Sequence, residues 1–291
     1  MFKGTITALV TPFKNGLIDT VAFEALIGRQ VAAGIDGIVP VGTTGESPTL
    51  NHQEHLRVIE LAVKFADKRT LVIAGTGSNS TAEAVEYTQM AETLGADAAL
   101  LVAPYYNKPT QEGLYQHYMA VAKSTELPLV LYSIPGRCGI EIGIDTVLRL
   151  ATDAKNIVAI KEAGGSVDRV SKLRQVLPDS FDILSGDDSL TVPFMSVGAR
   201  GVISVASNLI PAEVRNMVEA ALAGDYVKAE VLHRKYYGVY TDIFIEANPG
   251  PIKAAMALKG WIEEEVRLPL VTMAATNRER LLATLKTAGV L

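Results

Sequence analysis

The residue with the most distinctive chemical setting is Lys161, which directly follows the apolar segment 157–160 (IVAI). An amine at the end of a buried strand is desolvated, and desolvation lowers its pKa toward the neutral, nucleophilic form. Such an amine attacks a ketone and forms a Schiff base. The alternative is a lysine that ends a strand and extends its ammonium group into solvent, and Lys161 alone leaves this open.

Three further groups suit imine chemistry on a keto acid. Tyr132 ends the preceding apolar run and could transfer protons during imine formation, although a single tyrosine is often a core or rim aromatic. The turn 42–45 (GTTG) offers hydroxyls and backbone N–H groups that hold a carboxylate, but such turns also carry Gly and Thr for their geometry. Arg137 has a guanidinium suited to a second carboxylate, or to a surface ion pair.

Metal and nicotinamide chemistry are both disfavoured by the sequence. The residues most able to bind a transition metal are His52, His55, His117, His233 and Cys138. Of these, His52 and His55 lie three residues apart on one expected helix, and no third histidine is placed to join them. The segment 75–78 (GTGS) lacks the third glycine and the acidic partner of a dinucleotide fingerprint. We therefore expect no metal and no cofactor.

The overall composition indicates an ordinary globular protein. The chain has 27 Lys and Arg against 32 Asp and Glu, a net charge of −5, so no nucleic-acid partner is expected. No apolar stretch reaches the length of a membrane span, and the first residues lack the apolar core of a signal peptide. A single cysteine excludes an internal disulfide. We expect a cytoplasmic protein without a membrane partner.

The elements that must position these residues form a repeating strand–helix pattern. Continuous apolar runs, typical of parallel strands covered on both faces, begin near Thr5, Asp36, Leu71, Ala98, Leu129, Ile157, Asp182 and Gly201. Amphipathic segments lie between them, with a capping box expected at Ser80 and Glu83 and helix ends at Gly34, Gly95 and Gly224. Eight such repeats predict an α/β fold, a (β/α)₈ TIM barrel, rather than a doubly wound sheet.

A change of pattern near residue 224 suggests two regions. Residues 1–224 are predicted to form the barrel, and residues 225–291 a C-terminal helical extension packed on it. Helices are expected at 226–245, 251–258 and 277–288. Pro40 falls inside the expected strand 37–41, where it removes a ladder donor, and a bulge or a locally unpaired position is predicted there. Because barrel enzymes carry their sites at the C-terminal strand ends, Lys161, Tyr132 and the turn 42–45 should converge.

The motifs at these strand ends closely resemble those of the 4-hydroxy-tetrahydrodipicolinate synthase family. The similar segments are 42–47 (GTTGES), 104–109 (PYYNKP), 132–137 (YSIPGR), 160–163 (IKEA), 185–188 (SGDD) and 201–204 (GVIS). The resemblance extends over essentially the whole chain. Two departures flank functional positions, since Ser133 stands where the family usually has asparagine and Cys138 where it usually has threonine.

The resemblance implies a Schiff-base synthase of lysine biosynthesis through diaminopimelate. Lys161 would form the imine with pyruvate. Tyr132, Thr43 and Tyr106 would form a proton relay, in which Tyr106 reaches in from a neighbouring subunit of a homotetramer. The family's remaining substrate positions fall on Thr44 and Ile203 for the pyruvate carboxylate, Arg137 for the carboxylate of L-aspartate 4-semialdehyde, and Gly186 as a lining backbone position.

The resemblance also implies feedback inhibition by L-lysine at a second, allosteric site. The matching positions are Ser47, Pro48, His52, His55, Asn79, Glu83 and Tyr105. Their oxygens and ring nitrogens suit an amino acid ligand, although each residue singly has an ordinary structural explanation. Two other functions remain open: another pyruvate-dependent aldolase acting on sialic or keto-deoxy sugar acids, and a non-catalytic keto acid or amino acid sensor.

Overall fold

The computed structural model describes residues 2–291, and its centre is a closed barrel of eight parallel strands. Each strand pairs with its neighbours in chain order, and the first strand also pairs with the eighth, which closes the sheet. The strands are Gly4–Ala8, Gly37–Val39, Leu71–Gly75, Ala98–Val102, Leu129–Ser133, Ile157–Glu162, Asp182–Ser185 and Gly201–Ser204. The predicted (β/α)₈ TIM barrel with C-terminal helices is thereby confirmed.

Helices alternate with the strands and surround the barrel. The α-helices of residues 2–291 are Thr20–Ala32, His52–Ala66, Thr81–Thr93, Gln111–Ala122, Pro135–Cys138, Ile144–Asp153, Val167–Val176, Thr191–Ser196, Pro211–Leu222, Tyr226–Asp242, Gly250–Leu258 and Ala275–Thr287. As the sequence predicted, helices end before Gly34, Gly95 and Gly224, and each of these glycines has a positive φ. None of the helices within the described residues combines the length and apolarity needed to cross a bilayer.

Two apolar cores hold the barrel and its helices together. The inner core fills the barrel with alternate side chains of the strands, among them Ile6, Leu100, Ala159 and Ile203. The outer core lies between the strands and the helices and extends into the C-terminal helices. Because both strand faces are buried, the strands read as continuous apolar runs in the sequence.

The structure corrects two local predictions and adds one element. The second strand ends at Val39 and not at residue 41, so Pro40 lies outside the strand in the following turn and no bulge is needed. A short hairpin, Phe13–Lys14 with Leu17–Ile18, had no predicted counterpart. Ser80 does cap its helix, but the carboxylate of Glu83 accepts from the Ser78 hydroxyl instead of closing a capping box.

The C-terminal helices contact both the barrel helices and one another. Helix Tyr226–Asp242 packs on Pro211–Leu222, and Ala275–Thr287 packs on both Tyr226–Asp242 and Gly250–Leu258. The division of the chain at residues 224 and 225 into two regions stays a prediction. The segment between the helices Tyr226–Asp242 and Gly250–Leu258 reaches the open end of the barrel, where its residue Asn248 contacts Thr44.

Candidate active site

Lys161 and Tyr132 lie side by side at the C-terminal end of the barrel. Strand register pairs Tyr132 with Lys161, and Lys161 in turn with Leu184 on the next strand. Because side chains alternate along a strand, Lys161 shares the inward face of Ala159, which belongs to the inner core. The Lys161 ammonium nitrogen lies 4.2 Å from the centre of the Tyr132 ring.

Burial changes the protonation of this lysine. Lys161 is 5% exposed, and desolvation lowers its pKa from 10.5 to about 7. The Asp188 carboxylate opposes this shift, the Arg137 guanidinium adds to it, and Asp187 opposes it more weakly. A substantial fraction of Lys161 is therefore a neutral amine at neutral pH, which is the nucleophilic form.

The hydroxyl of Tyr132 is held as a neutral phenol. Burial raises its pKa, while the nearby Arg137 cation and a side-chain hydrogen bond with Thr43 act in the opposite direction. A protonated phenol next to an amine, with a second hydroxyl bonded to it, can donate a proton and regain one from Thr43. This arrangement suits a proton relay.

One small cavity collects most of the predicted site residues. It has a volume of about 40 Å³. Its walls comprise Ala8, Val39, Gly42, Thr43, Thr44, Leu100, Tyr132, Ile134, Arg137, Lys161, Gly186, Val205, Phe244 and Asn248. Gly186 is required by space, since a Cβ there would lie 2.6 Å from the Ala163 Cβ and 3.1 Å from the Lys161 Cε.

Two predicted residues lie outside these walls. Ile203 is fully buried in the inner core, and Val205 lines the cavity instead. Tyr106 is 90% exposed, is absent from the walls of this cavity and has a left-handed backbone at φ 72°. Its role in catalysis stays a prediction.

Arg137 stands at the cavity rim on the short helix Pro135–Cys138. Its side chain is exposed, and within residues 2–291 it forms no salt bridge. The ion-pair explanation for this arginine therefore does not apply within the chain. A cation without a carboxylate partner at a cavity rim is suited to a substrate carboxylate.

The sequence reasoning placed no site residue after residue 224, and it therefore missed Phe244 and Asn248. Asn248 is buried, and its side-chain N–H donates to the Thr44 hydroxyl over 2.9 Å. Both residues belong to the predicted C-terminal extension, whereas every predicted site residue lay in the barrel. The only signal in the sequence was the Asn-Pro-Gly-Pro turn at 248–251.

A buried ion pair fixes the turn that carries Thr43 and Thr44. Glu46 has a left-handed backbone at φ 57°, and its carboxylate accepts from the Lys253 ammonium group. The same carboxylate accepts from the Arg267 backbone N–H over 3.0 Å. Since both charged side chains are fully buried, removing one partner would leave an unpaired buried charge.

Asp188 fixes the opposite side of the cavity. Its carboxylate accepts from the Ser204 hydroxyl over 2.5 Å and from the backbone N–H groups of Val205 and Ala206 over 2.9 and 3.0 Å. These contacts join the ends of the seventh and eighth strands. They also place a carboxylate within electrostatic reach of Lys161.

A second cavity of about 160 Å³ lies beside the first. Its walls are Ser47, Pro48, Leu50, His55, Gly77, Ser78, Glu83, Tyr87 and Tyr105. Five of the seven positions predicted for a lysine site are among them. The other two flank the walls: the His52 ring stacks on Tyr87, and the Asn79 side-chain amide donates to the Tyr105 carbonyl over 3.2 Å.

The protonation states in the second cavity favour a cationic ligand. Burial lowers the pKa of His55 to about 4, so its ring is neutral, and its Nε2–H donates to the Gly75 carbonyl over 2.9 Å. Burial, and then the nearby Glu83 carboxylate, raise the pKa of the Tyr105 phenol. Glu83 contributes a carboxylate to the walls, among these neutral polar groups.

The two departures from the family pattern are both buried. Ser133 accepts from the Ile142 backbone N–H over 3.4 Å. Burial raises the pKa of the Cys138 thiol to about 11, and the residue has no disulfide partner. Neither side chain lines the cavity around Lys161.

One family model and several known proteins are similar to this chain in sequence and structure. The model of the Dihydrodipicolinate synthetase family matches residues 1–288. The 4-hydroxy-tetrahydrodipicolinate synthase of Geotalea uraniireducens is 53% identical over 291 residues, 100% of both chains. The synthase structure from Methylacidiphilum fumariolicum SolV has a TM-score of 0.99 and 53% identity, covering 99% of this chain and 96% of that one. The Cyanidioschyzon merolae enzyme, solved with lysine bound, has a TM-score of 0.97 and 41% identity, covering 100% and 99%.

Proposed function

The chain belongs to the dihydrodipicolinate synthetase family and is an enzyme of the Schiff-base lyase type, and from this we propose that it condenses pyruvate with L-aspartate 4-semialdehyde. The observation that carries the proposal is the neutral Lys161 amine beside Tyr132 in a cavity that opens at Arg137. The product would enter lysine biosynthesis through diaminopimelate.

Lys161 supplies the covalent step. Its amine adds to the ketone carbon of pyruvate, and loss of one water gives the imine. Removal of a proton from the pyruvate methyl group gives an enamine, whose carbon adds to the aldehyde carbon of the second substrate. The amino group of that substrate then attacks the imine carbon, closes the ring and releases Lys161 as a free amine. Overall, one water leaves.

Tyr132 and Thr43 move the protons of these steps. The Tyr132 phenol protonates the departing hydroxyl during imine formation, and Thr43 passes a proton to it through their hydrogen bond. Tyr106 completes the relay from a second subunit; in its own chain it is exposed and does not belong to the cavity walls.

The two substrate carboxylates are bound by different groups. The pyruvate carboxylate accepts hydrogen bonds from the Thr44 hydroxyl, from backbone N–H groups of the turn that contains Thr44, and from backbone N–H groups near Ile203. Arg137 receives the carboxylate of the aldehyde substrate at the rim. Gly186 leaves the space beside the Lys161 side chain into which pyruvate fits.

Borohydride reduction in the presence of pyruvate tests the covalent mechanism. One reduced pyruvyl unit should be found on Lys161 by peptide mass spectrometry, and activity should be lost irreversibly. Lys253 is an internal control, because burial also lowers its pKa, to about 8, but its ammonium group is occupied by Glu46. Label on another lysine, or full pyruvate-dependent turnover in Lys161→Ala, would contradict the mechanism.

Turnover is also measured with sialic and keto-deoxy sugar acids, because another pyruvate-dependent aldolase would act on these substrates.

The second cavity is proposed to bind L-lysine as an inhibitor. Glu83 would pair with an ammonium group of the ligand, and the hydroxyls of Ser47 and Tyr105 would contact its polar groups. The lysine-bound relative from Cyanidioschyzon merolae supports this ligand. An intermediate cavity of about 30 Å³ shares Thr43 and Tyr132 with the first cavity and Ser47 and Gly77 with the second. It offers a physical connection between the two sites.

The assembly is proposed to be a cytoplasmic homotetramer in which pairs of subunits share active sites. The supporting feature is an exposed tyrosine, Tyr106, on a loop beside the second cavity. Sedimentation of the purified protein would determine the number of subunits.

A further inference from the structure

A buried carboxylate, that of Glu162, directly follows the reactive lysine in the sixth strand. Because side chains alternate along a strand, Glu162 faces outward to the helices while Lys161 faces the cavity. The Glu162 side chain has no exposed surface. Burial raises the pKa of its carboxyl group, and the Arg169 cation and the Gly164 backbone N–H act against this rise. A carboxylate buried in this way needs such partners.

Arg169 joins this carboxylate to the segment that follows the helix of Arg137. Its Nε–H donates to Glu162 over 2.9 Å, and its two terminal nitrogens donate to the Glu141 carboxylate over 3.2 Å and to the Ile142 carbonyl over 2.6 Å. The Arg169 side chain is 8% exposed. The side chains of Glu162, Arg169 and Glu141 form a charged network that connects the end of the sixth strand to this segment.

The helix that carries Arg137 depends on the chain at both of its ends. This helix, Pro135–Cys138, is a single turn, and a helix of this length is not stable alone. At its N-terminal end it continues from the fifth strand. At its C-terminal end it continues into the segment 139–142, which Arg169 holds. The position of Arg137 is therefore set partly by Arg169.

The charged network also lies close to the first residue of this helix. A Cβ at Gly164 would lie 2.6 Å from Glu162 Oε1, 3.3 Å from Glu141 Oε1 and 3.6 Å from Pro135 Cγ. These side chains therefore surround one small space, which only a glycine leaves free. The network thus adjoins the helix at its beginning and holds the segment after its end.

We propose that Arg169 is a positioning residue for the aldehyde step: by holding the segment 139–142 it fixes the guanidinium of Arg137. The inference rests on the proposed function, in which Arg137 receives the aldehyde carboxylate. Arg169 does not belong to the walls of the cavity around Lys161, so it acts through Arg137. A guanidinium is required, because a lysine ammonium group can pair with Glu162 but lacks the planar fork that reaches the other two acceptors.

Arg169→Lys separates positioning from general stability. The variant keeps a cation beside Glu162 and loses the contacts with the segment 139–142. The kcat/KM for L-aspartate 4-semialdehyde should fall about 10- to 100-fold, because a small displacement of a substrate-binding group is enough for such a loss. Pyruvate imine formation, measured by borohydride trapping and intact-mass spectrometry, should remain unchanged.

Arg174→Lys is the matched control on the same helix, Val167–Val176. The Arg174 guanidinium also donates to three acceptors, which are backbone carbonyls of the segment 177–181. This segment leads into the start of the seventh strand, at the end of the barrel opposite to Lys161. Arg174→Lys should lower the melting temperature and leave the ratio of the aldehyde step to the pyruvate step unchanged.

A double variant tests whether Arg169 acts through Arg137. In an Arg137→Ala background, Arg169→Lys should cause no further loss with the aldehyde, because the group that it positions is already absent. Glu141→Gln provides the same cycle if Arg169→Lys does not fold. Glu141 is half-exposed, so this variant should fold, and it should lower kcat/KM for the aldehyde only where Arg137 is present.

Two results would overturn the inference. One is an equal loss of pyruvate imine formation and of aldehyde use in Arg169→Lys. The other is a pair of losses that multiply in the double variant, which is the behaviour of independent sites. The proposed function fails at a different point, since a wild-type protein that forms no pyruvate imine would contradict it before any variant is compared.

Discussion

At the scale of single residues, the chemistry depends on how the surroundings of Lys161 shift its pKa. Desolvation lowers the pKa of this lysine to about 7, and the cation of Arg137 acts in the same direction. An ordinary lysine would be almost completely protonated at neutral pH. Burial thus supplies a nucleophile that an exposed lysine could not supply under the same conditions.

The pH dependence of imine formation follows from this shift. Only the neutral amine attacks, and the neutral form predominates above the pKa. The rate should therefore rise with pH, pass its midpoint near pH 7 and level off above it, whereas an ordinary lysine would have its midpoint near 10.5. Stopped-flow measurement with pyruvate alone checks this. A rate still rising tenfold per pH unit at pH 9 would contradict a buried, depressed lysine.

Arg137→Ala should affect the aldehyde step far more than the pyruvate step. Loss of a charge-assisted, bidentate contact costs about 2–4 kcal/mol, or roughly 30- to 1000-fold in kcat/KM for the aldehyde. The variant should also raise the pKa of Lys161, because the Arg137 cation lowers it, so the midpoint of imine formation should move to higher pH.

Arg149→Ala is the matched control for this variant. Arg149 is exposed, pairs with Glu112 over 2.9 Å and lies outside the reacting cavity. Its replacement should leave both half-reactions unchanged. Equal damage to both half-reactions in Arg137→Ala would identify that arginine as a general structural residue.

At the scale of elements, the loop after the fourth strand has an unusual backbone. Tyr106 and Lys108 both have left-handed backbone angles, at φ 72° and 44°, which non-glycine residues adopt only at a cost. The Asn107 side-chain amide holds the loop by donating to the Asn79 carbonyl over 2.9 Å. The result is a fixed loop that presents Tyr106 outward.

A mixing experiment tests whether Tyr106 serves the active site of a neighbouring subunit. Tyr106→Phe and Lys161→Ala should each be severely impaired, the former about 10²- to 10⁴-fold through loss of the proton relay. In a mixed dimer, the chain with an intact Lys161 receives an intact Tyr106 from its partner. Co-refolded mixtures should regain about a quarter of wild-type activity, because half of the dimers are mixed and each has one complete site. No recovery above the separate variants would contradict a shared site.

At the scale of the whole molecule, the two cavities are expected to communicate. They adjoin through the turn that contains both Thr43 and Ser47. The buried ion pair between Glu46 and Lys253 holds this turn in place. A ligand bound against Ser47 and Tyr105 could thereby alter the position of Thr43 in the relay, and coupling between such sites is typically about 1–3 kcal/mol.

Lysine inhibition and its relief form the corresponding prediction. Millimolar or lower lysine should inhibit condensation in the wild-type protein, and Glu83→Thr should relieve the inhibition by removing the negative charge of the second cavity. Pyruvate imine formation should remain intact in this variant. Glu60→Thr, an exposed change on helix His52–Ala66 outside the cavity, should remain inhibited. A steady-state rate that does not change up to saturating lysine would refute the proposed second site.

The sequence by itself determined the barrel and the position of its reactive lysine. Each strand of the barrel begins at most one residue from its predicted start. The reason is that burial on both faces requires a continuous apolar run, which is a local property visible in the sequence. The same local rule placed Lys161 at the end of an apolar strand, and therefore at the end of the barrel that carries the site.

Only the tertiary structure decided how the site is completed. Thr44 and Asn248 are 204 residues apart in the chain, and Glu46 and Lys253 are 207 apart. No periodicity or turn signal relates such pairs, because their contact depends on how the C-terminal helices pack against the closed barrel. The exposure of Tyr106 could likewise not be predicted from the sequence. The direction of a loop side chain follows from backbone angles that neighbouring contacts impose. Local composition sets the elements, and the packing of elements distant in sequence sets the partners of each catalytic group.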